Sequence, residues 1–439
     1  MTSICIDGFN LALSKGTGIA TYGRNLLVNA RQVGFGTQVL YGPPRVRMSA
    51  DVVNEAMLTD AERQPGKLTR KAKLQRFRRT ALSQLGREAY GIAPSSEVIW
   101  STRGGGRPAA DAFWAAQSLF TEANRCFAAY GSGTPVRFRE GGGVSKPDVV
   151  HWTATLPLHA KDAANVYTIH DLIPLRLPHT TLDDKSRYMD LCREVARRAD
   201  QIAVVSETTR QDVIRLLGVD EARITNTYQA VNLPTALTSR SDGDVQLELE
   251  GVFNLPWKGY FLHYGAIEPK KNLGRIVEAY LASGVRLPLV LVGGAGWLED
   301  GETALLKQIK RDGGPSADRI RQYDYMPFSL LLSLIRGARS TLFPSLYEGF
   351  GLPVLESMAL STSVLTSSAG SLPEVAGDAA YIVDPYDVQA MTRGLRVLAE
   401  DDDLDAELVS RGRSQVERFT PARYQERLAS LYAKVGVTP

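Results

Sequence analysis

Two glutamates, Glu348 and Glu356, stand with seven residues between them in Phe343-Pro-Ser-Leu-Tyr-Glu-Gly-Phe-Gly-Leu-Pro-Val-Leu-Glu356. A strand reads up to Pro344, a turn carrying Gly349 and Gly351 follows, and Pro353 suits the first turn of a helix. Glu348 then precedes the turn and Glu356 lies about one turn into the helix. Both carboxylates can face one crevice at the carboxyl end of a sheet, where open α/β folds bind ligands. The turn's amides and the helix start offer a seat for phosphate oxygens. The two glycines let the backbone come close to a ligand. Two isolated glutamates would more often be a helix cap and a surface acid; the proline and glycine context argues against that here.

Three further segments carry reactive or charged groups. Gly265-Ala-Ile-Glu-Pro-Lys-Lys-Asn272 sets Lys270 and Lys271 at a strand-to-helix turn, which by itself would be a solvated helix start. Thr168-Ile-His-Asp-Leu-Ile-Pro174 puts His170 and Asp171 at the end of a strand, where a single histidine is more often structural than catalytic. Gly16-Thr-Gly-Ile-Ala-Thr-Tyr22 opens a helix after the first strand. It is a poor dinucleotide fingerprint, since a third glycine is missing and no acid ends the second strand near Tyr41.

The elements that must position these groups are an alternation of short buried runs and helical periods. In the second half these are Tyr260–Ile267, Leu273–Ala282, Pro288–Gly293, Leu305–Arg311, Ile320–Met326, Ser329–Ala338, Thr341–Pro344, Pro353–Leu360, Ser363–Thr366 and Tyr381–Val383. Such alternation means βαβ units and a parallel sheet covered by helices. The first half repeats the grammar: strands at Ser3–Asp7, Val39–Tyr41, Val149–Trp152, Val166–His170 and Ile202–Ser206, and a helix with Ile19, Tyr22, Leu26, Leu27 and Ala30 on one face. From about 50 to 145 the pattern dissolves into helical and glycine-rich stretches. The expected division is a first domain over 1–235 with a basic helical insertion at about 50–145, a second domain over 236–419, and a closing helix over 420–439. A polar segment, Thr238–Gly243, is the candidate linker.

The 439 residues are 44% hydrophobic and 23% charged, ample for sizeable cores and unlike a disordered or collagen-like chain. Net charge is only +3, which argues against a nucleic-acid partner. Cys5, Cys126 and Cys192 have no zinc spacing and no disulfide pattern, which fits a reducing compartment. No signal peptide is readable, and no run approaches the roughly 18 apolar residues of a membrane span. One asymmetry stands out: nine basic residues and no acid from Arg63 to Arg87, with Leu74, Phe77, Ala81 and Leu85 roughly on one helical face. A helix packed on the domain and a peripheral contact with anionic membrane both fit that pattern.

Glu348 and Glu356 match the E-x7-E signature of retaining GT-B glycosyltransferases, and the run from Pro344 to Ala359 resembles the large family 4 group of those enzymes. The resemblance extends to Gly265–Asn272, to the glycine loop at Gly16 and Gly18, to the His170-Asp171-Leu172 segment and to Gly370–Asp378. It implies an α/β, GT-B fold: two Rossmann-like, doubly wound parallel-sheet domains facing across a cleft, with the last helix returning to the first domain. It implies a hexosyltransferase that binds a nucleotide sugar and a saccharide or lipid-linked acceptor, needing no cofactor and no metal. In that scheme Glu356 accepts from the ribose hydroxyls, while Glu348 and the backbone of Gly349, Phe350, Gly351 and Leu352 hold the transferred sugar. Lys271, with Lys270, neutralises the leaving diphosphate. His170 meets the donor sugar, Asp171 serves the acceptor or anchors its loop, and Glu374 shapes the nucleotide pocket or is structural. Many relatives place an arginine where this chain has Ala266, so Lys270 or another donor-facing cation is expected to substitute.

The combination of segments looks most like bacterial mannosyl- or rhamnosyl-type transferases of surface-polysaccharide assembly. GDP-mannose is the first donor candidate. GDP-linked deoxy or amino sugars, dTDP-rhamnose and UDP-hexoses remain alternatives, as do a GT-B sugar-nucleotide epimerase and a non-enzymatic scaffold working through its basic tract. The expected location is cytoplasmic, at the inner face of the membrane if residues 63–87 touch lipid.

Overall fold

The computed structural model describes residues 2–12, 18–46, 51–58, 78–95, 97–100, 106–141, 143–294, 296, 299–324 and 326–439, with residues 51 and 299 described by their backbone alone. Gly16 and most of the basic tract lie outside the described residues. Two sheets organise the chain. The first contains β1 (Ser3–Asp7), β2 (Gly36–Tyr41), β3 (Arg87–Ile92), β4 (Ala112–Ala115), β5 (Thr134–Arg139), β6 (Val149–Trp152), β7 (Leu158–Ala160), β8 (Ala164–Ile169), β9 (Gln201–Val204) and β10 (Ile224–Asn226). The second contains β11 (Phe261–Tyr264), β12 (Leu289–Val292), β13 (Ile320–Tyr323), β14 (Ser340–Phe343), β15 (Ser363–Ser367) and β16 (Tyr381–Val383).

The second sheet is parallel throughout, in the order β13-β12-β11-β14-β15-β16. Phe261 of β11 is level with Leu289 on one side and Ser340 on the other. Strand order therefore reverses between β11 and β14. At such a switch point the loops leaving the two neighbouring strands part to opposite faces and open a crevice at their carboxyl ends.

The first sheet runs β10-β9-β8-β6-β1-β2-β4-β3-β5-β7. It is parallel except where β3 meets β4. Its central strands are buried along their whole length, as a sheet covered on both faces requires. Seven strand spacings separate β7 from β8, roughly 34 Å in a flat sheet. Yet only four residue steps join Ala160 to Ala164, a reach of about 14 Å. The sheet must curl until β7 comes back beside β8. Asn165 holds that closure: its Oδ1 accepts from Ala160 N at 2.7 Å and Trp152 Nε1 at 3.0 Å, and its Nδ2 donates to the Ala160 carbonyl at 3.0 Å. The Tyr167 hydroxyl donates to the Leu158 carbonyl across the same gap.

This corrects the reading of residues 50–145 as helical and glycine-rich. They hold three strands, β3 to β5, as well as the helix Leu119–Tyr130. In β5, buried Val136 and Phe138 alternate with exposed Arg137 and Arg139. The strand period was hidden by arginines whose partners, such as Glu88 for Arg139, stand on the neighbouring strand. The supposed linker also has structure. Ser241 accepts from the Asp244 amide at 3.1 Å and caps a helix, Asp242–Glu248, that packs on the helix Phe328–Gly337 of the second sheet.

The chain passes between the two sheets at two adjacent places, where Val231 N donates to the Phe419 carbonyl at 3.0 Å. The last helix, Pro421–Ala433, buries Tyr424, Leu428, Leu431 and Tyr432 and packs on the helix Gly18–Val33. Gln425 of that helix donates to Asn29 Oδ1 at 3.0 Å and Gln32 Oε1 at 2.7 Å.

Asn165→Ala leaves the indole N–H and both backbone groups of Ala160 without these partners in a buried site. The expected cost is about 3 kcal/mol or more, read as a lower urea midpoint with little change in slope. A loss under about 1 kcal/mol would mean that the curl does not depend on this side chain.

Candidate active site

The switch point of the second sheet sits between the two loops that the sequence marked. The loop after β11 carries Lys270 and Lys271, and the loop after β14 carries Glu348. Asn272 fixes the first loop. Its backbone adopts φ +65°, and its side-chain amide donates to the carbonyls of Pro344 at 2.9 Å and Pro385 at 2.7 Å. Leu346 N donates to the Lys270 carbonyl at 2.7 Å, so the loops are tied backbone to backbone.

Within this frame Lys271 Nζ reaches Glu348 Oε1 at 2.6 Å. Lys270 Nζ lies 3.8 Å from Glu348 Oε2 and 3.7 Å from Glu268 Oε2. Glu348 is only 8% exposed. Burial alone pushes its carboxyl up, but Lys271 and Lys270 outweigh that and bring it down to about 2. Burial favours the uncharged form of Lys270, yet Glu348, Asp171 and Glu268 together raise its pKa above the ordinary lysine value. Glu268, which the sequence reading passed over, is raised by burial despite the two lysines. The exposed Ala266 leaves Lys270 and Lys271 to supply the positive charge of this loop.

The Glu348 loop is held from behind by Gly370 and Ser371. Gly370 has φ +61°, and a Cβ there would fall 2.8 Å from both N and O of Glu348. Ser371 Oγ donates to the carbonyls of Glu348 and Phe350 at 3.0 and 2.6 Å. Gly351, at φ +110°, turns the chain into the helix Leu352–Ala359. Among the described residues the amides of Phe350 and Gly351 meet no acceptor. The Phe350 ring points away into an aromatic group with Tyr228 and Phe419. Glu356 is half-buried, with Tyr264 Oη 3.0 Å from its Oε2, and burial raises its pKa.

The first domain meets this loop directly. A Cβ on Gly349 would lie 2.3 Å from the His170 carbonyl oxygen and 2.9 Å from Asp171 Cβ, so only glycine permits the approach. Thr209 Oγ1 lies 3.1 Å from the His170 carbonyl and 3.4 Å from that of Gly349. Tyr347 donates to Asp212, and Arg176 stacks on the Tyr347 ring at 5.4 Å. Glu374 accepts from the amides of Glu207 at 2.7 Å and Thr208 at 3.2 Å, at the start of the helix Glu207–Leu217 that Ser206 caps. Of the two roles expected for Glu374 the structure favours the structural one: it joins the domains. No short-range pattern announces such a contact.

His170 Nε2 lies 2.8 Å from the Thr153 carbonyl. A carbonyl only accepts, so Nε2 carries the proton and Nδ1 of the neutral ring keeps its lone pair. Burial lowers the pKa of His170 and favours that neutral state. Asp171 Oδ1 accepts from Ile173 N at 3.0 Å, which anchors its loop. Gly18 begins the helix Gly18–Val33; no described atom lies within 4 Å of a Cβ built there, so space does not demand glycine at this position.

Comparisons with known proteins agree with this architecture. Residues 254–415 match the family described as glycosyl transferases group 1, and residues 97–233 match glycosyltransferase family 4. Over 260 residues the chain is 34% identical to the O-antigen chain mannosyltransferase B of Escherichia coli, covering 58% of this chain and 66% of that one. It is 29% identical to the serotype-specific mannosyltransferase WbdA of Escherichia coli, over 61% of this chain and 33% of that protein. The matched region thus spans less than two thirds of either relative. Among solved structures, a sucrose-phosphate synthase of Thermosynechococcus elongatus superposes with TM-score 0.68 at 16% identity, covering 99% of both chains. HepE of Anabaena, in complex with UDP and glucose, superposes with TM-score 0.66 at 15% identity, covering 99% of this chain and all of that one.

The gap between about 2 and the ordinary 4.5 for Glu348 is worth roughly 3 kcal/mol of folding stability. A depressed folded-state value makes that stability complete above pH 4.5 and drains it as pH falls toward 2. Glu348→Gln should therefore be less stable than the parent at pH 7 and lose less stability across this acid window, measured by urea unfolding at stepped pH. Parallel curves would show that the lysines do not hold the carboxylate.

Proposed function

The chain belongs to the group 1, family 4 glycosyl transferases of GT-B fold, and from that premise we propose that it transfers mannose from GDP-mannose, with retention, to a saccharide acceptor of a surface polysaccharide. The observation that carries the reading is the Lys271–Glu348–Lys270 cluster at the switch point, on a loop whose Gly349 lies against the His170 backbone. Similarity to O-antigen mannosyltransferases supports the choice of sugar and acceptor.

In this reading the nucleotide lies on the second domain, with Glu356 accepting from its ribose. The diphosphate rests against Lys271, Lys270 and the open amides of Phe350 and Gly351. Glu348, kept ionised by the lysines, accepts hydrogen bonds from the sugar's hydroxyls. His170, with its lone pair at Nδ1, accepts from another hydroxyl. The bond from the anomeric carbon to the phosphate oxygen breaks as the lysines neutralise the departing charge. The acceptor oxygen bonds to the same face of that carbon, and its proton passes to the departing phosphate oxygen. The domain contacts around Gly349 keep water from the activated sugar.

The acceptor side includes membrane contact. Leu82 and Leu85 are 57% and 68% exposed beside exposed Arg78 and Arg79, at the described end of the basic tract. Apolar side chains flanked by cations suit an anionic bilayer surface.

Thermal unfolding in parallel with GDP, UDP, dTDP and ADP tests the donor. GDP at about 100 times its dissociation constant should stabilise by about 2.7 kcal/mol. Release of GDP from GDP-mannose should fall about 100-fold or more in Glu348→Gln. A response confined to UDP or dTDP would replace mannose by another donor. For the membrane, Leu82→Glu with Leu85→Glu should abolish sedimentation with phosphatidylglycerol vesicles, and undiminished sedimentation would remove these residues from the contact.

A further inference from the structure

His170 is gripped from two sides. Its Nε2–H is held by the carbonyl of Thr153, one residue beyond β6, and Thr153 is itself fixed because Asp7 accepts from both its amide and its hydroxyl. On the other side the Tyr22 ring stands edge-on to the imidazole, with centroids 4.8 Å apart and planes at 86°. Tyr22 is itself restrained. Its hydroxyl lies 2.8 Å from Thr168 Oγ1, two residues before His170 on β8. Thr168 Oγ1 lies 2.7 Å from His151 Nε2, and His151 Nδ1 lies 2.8 Å from the Tyr432 hydroxyl. All four residues are buried, and the series runs from the helix Gly18–Val33 through β8 and β6 to the last helix.

Burial holds His151 down at about 3, so the ring is neutral and one of its two nitrogens carries hydrogen. It can donate to one neighbour only and must accept from the other. The four groups therefore form a continuous series of hydrogen bonds in which His151 gives its proton to one neighbour and accepts from the other. A chain of this kind, closed to water, holds its members more stiffly than packing alone.

We propose that Tyr22 and His151 are positioning residues for His170, and that Tyr432 is the outer anchor through which the last helix sets the angle of the imidazole toward the donor sugar. The proposal rests on the reading of His170 as a donor-sugar contact. On this view the last helix does more than brace the first domain: loss of one hydroxyl on it is felt at the site.

A double-mutant cycle with GDP-mannose as donor probe tests it. His170→Ala should lower kcat about 100-fold, and Tyr22→Phe and Tyr432→Phe, which keep their rings, about 3- to 10-fold each, with KM and the GDP-induced midpoint shift unchanged. In the His170→Ala background the two tyrosine substitutions should then change kcat by less than about 1.5-fold. The same loss in both backgrounds would overturn the positioning role and leave His170 in place. A fully active His170→Ala would overturn the donor-sugar contact and this proposal with it. A second measurement needs no turnover: in protein labelled with 15N at its five histidines, His170 should show the Nε2–H tautomer, and Tyr432→Phe should shift its resonances. Unchanged His170 resonances in that variant would also overturn the proposal.

Discussion

A carboxylate buried as deeply as that of Glu348 is tolerable only if opposite charge is built against it. Here that charge comes from the loop of the neighbouring strand, and nearly every other feature of the second domain serves the match. Asn272 takes a left-handed backbone and spans two carbonyls so that Lys270 and Lys271 arrive at the right height. Gly370 gives up its side chain so that the Glu348 backbone can pass, and Ser371 pins that backbone on both sides of Gly349. The arrangement is two lysines set among Glu348 and Glu268, with the Asp171 charge also acting on Lys270, so each buried charge of the cluster has an opposite charge against it.

The same loop is where the two halves meet. Tyr347, just before Glu348, reaches Asp212, and Gly349, just after it, lies against the His170 backbone. Glu348 is therefore positioned by contacts from both domains at once. Site assembly and domain closure are one event in such a geometry, because separating the domains frees the residues on either side of the glutamate.

The second domain was legible because its signals are local. Prolines and glycines stop strands and open helices within a few residues of Glu348 and Lys271, and a switch point follows from strand order alone. The strands β3 and β5 were not legible: burial along β3 follows no period of two, and the exposed positions of β5 are arginines, of which Arg139 finds its acid, Glu88, on β3. Nor were the partners of Glu374 and Ser371, or the Tyr22–Thr168–His151–Tyr432 series. His151 and Tyr432 are 281 positions apart, and neither has a neighbour in sequence that announces the other. The short motifs marked the residues that the structure gathers at the switch point, while the residues that hold them still were fixed by tertiary contact.

The last helix carries one more consequence, for synthesis. The strands of the first sheet end at Asn226, but the surface around the helix Gly18–Val33 is completed only when residues 421–433 arrive. At ribosomal speeds of about 5–20 residues per second the first domain waits some ten to forty seconds for that helix. During the wait the seat of Leu428, Leu431 and Tyr432 is an open apolar groove, exposed to chaperones and to other nascent chains. A chain stopped before this helix would hold both carboxylates and both lysines, yet its first domain would still lack its cover.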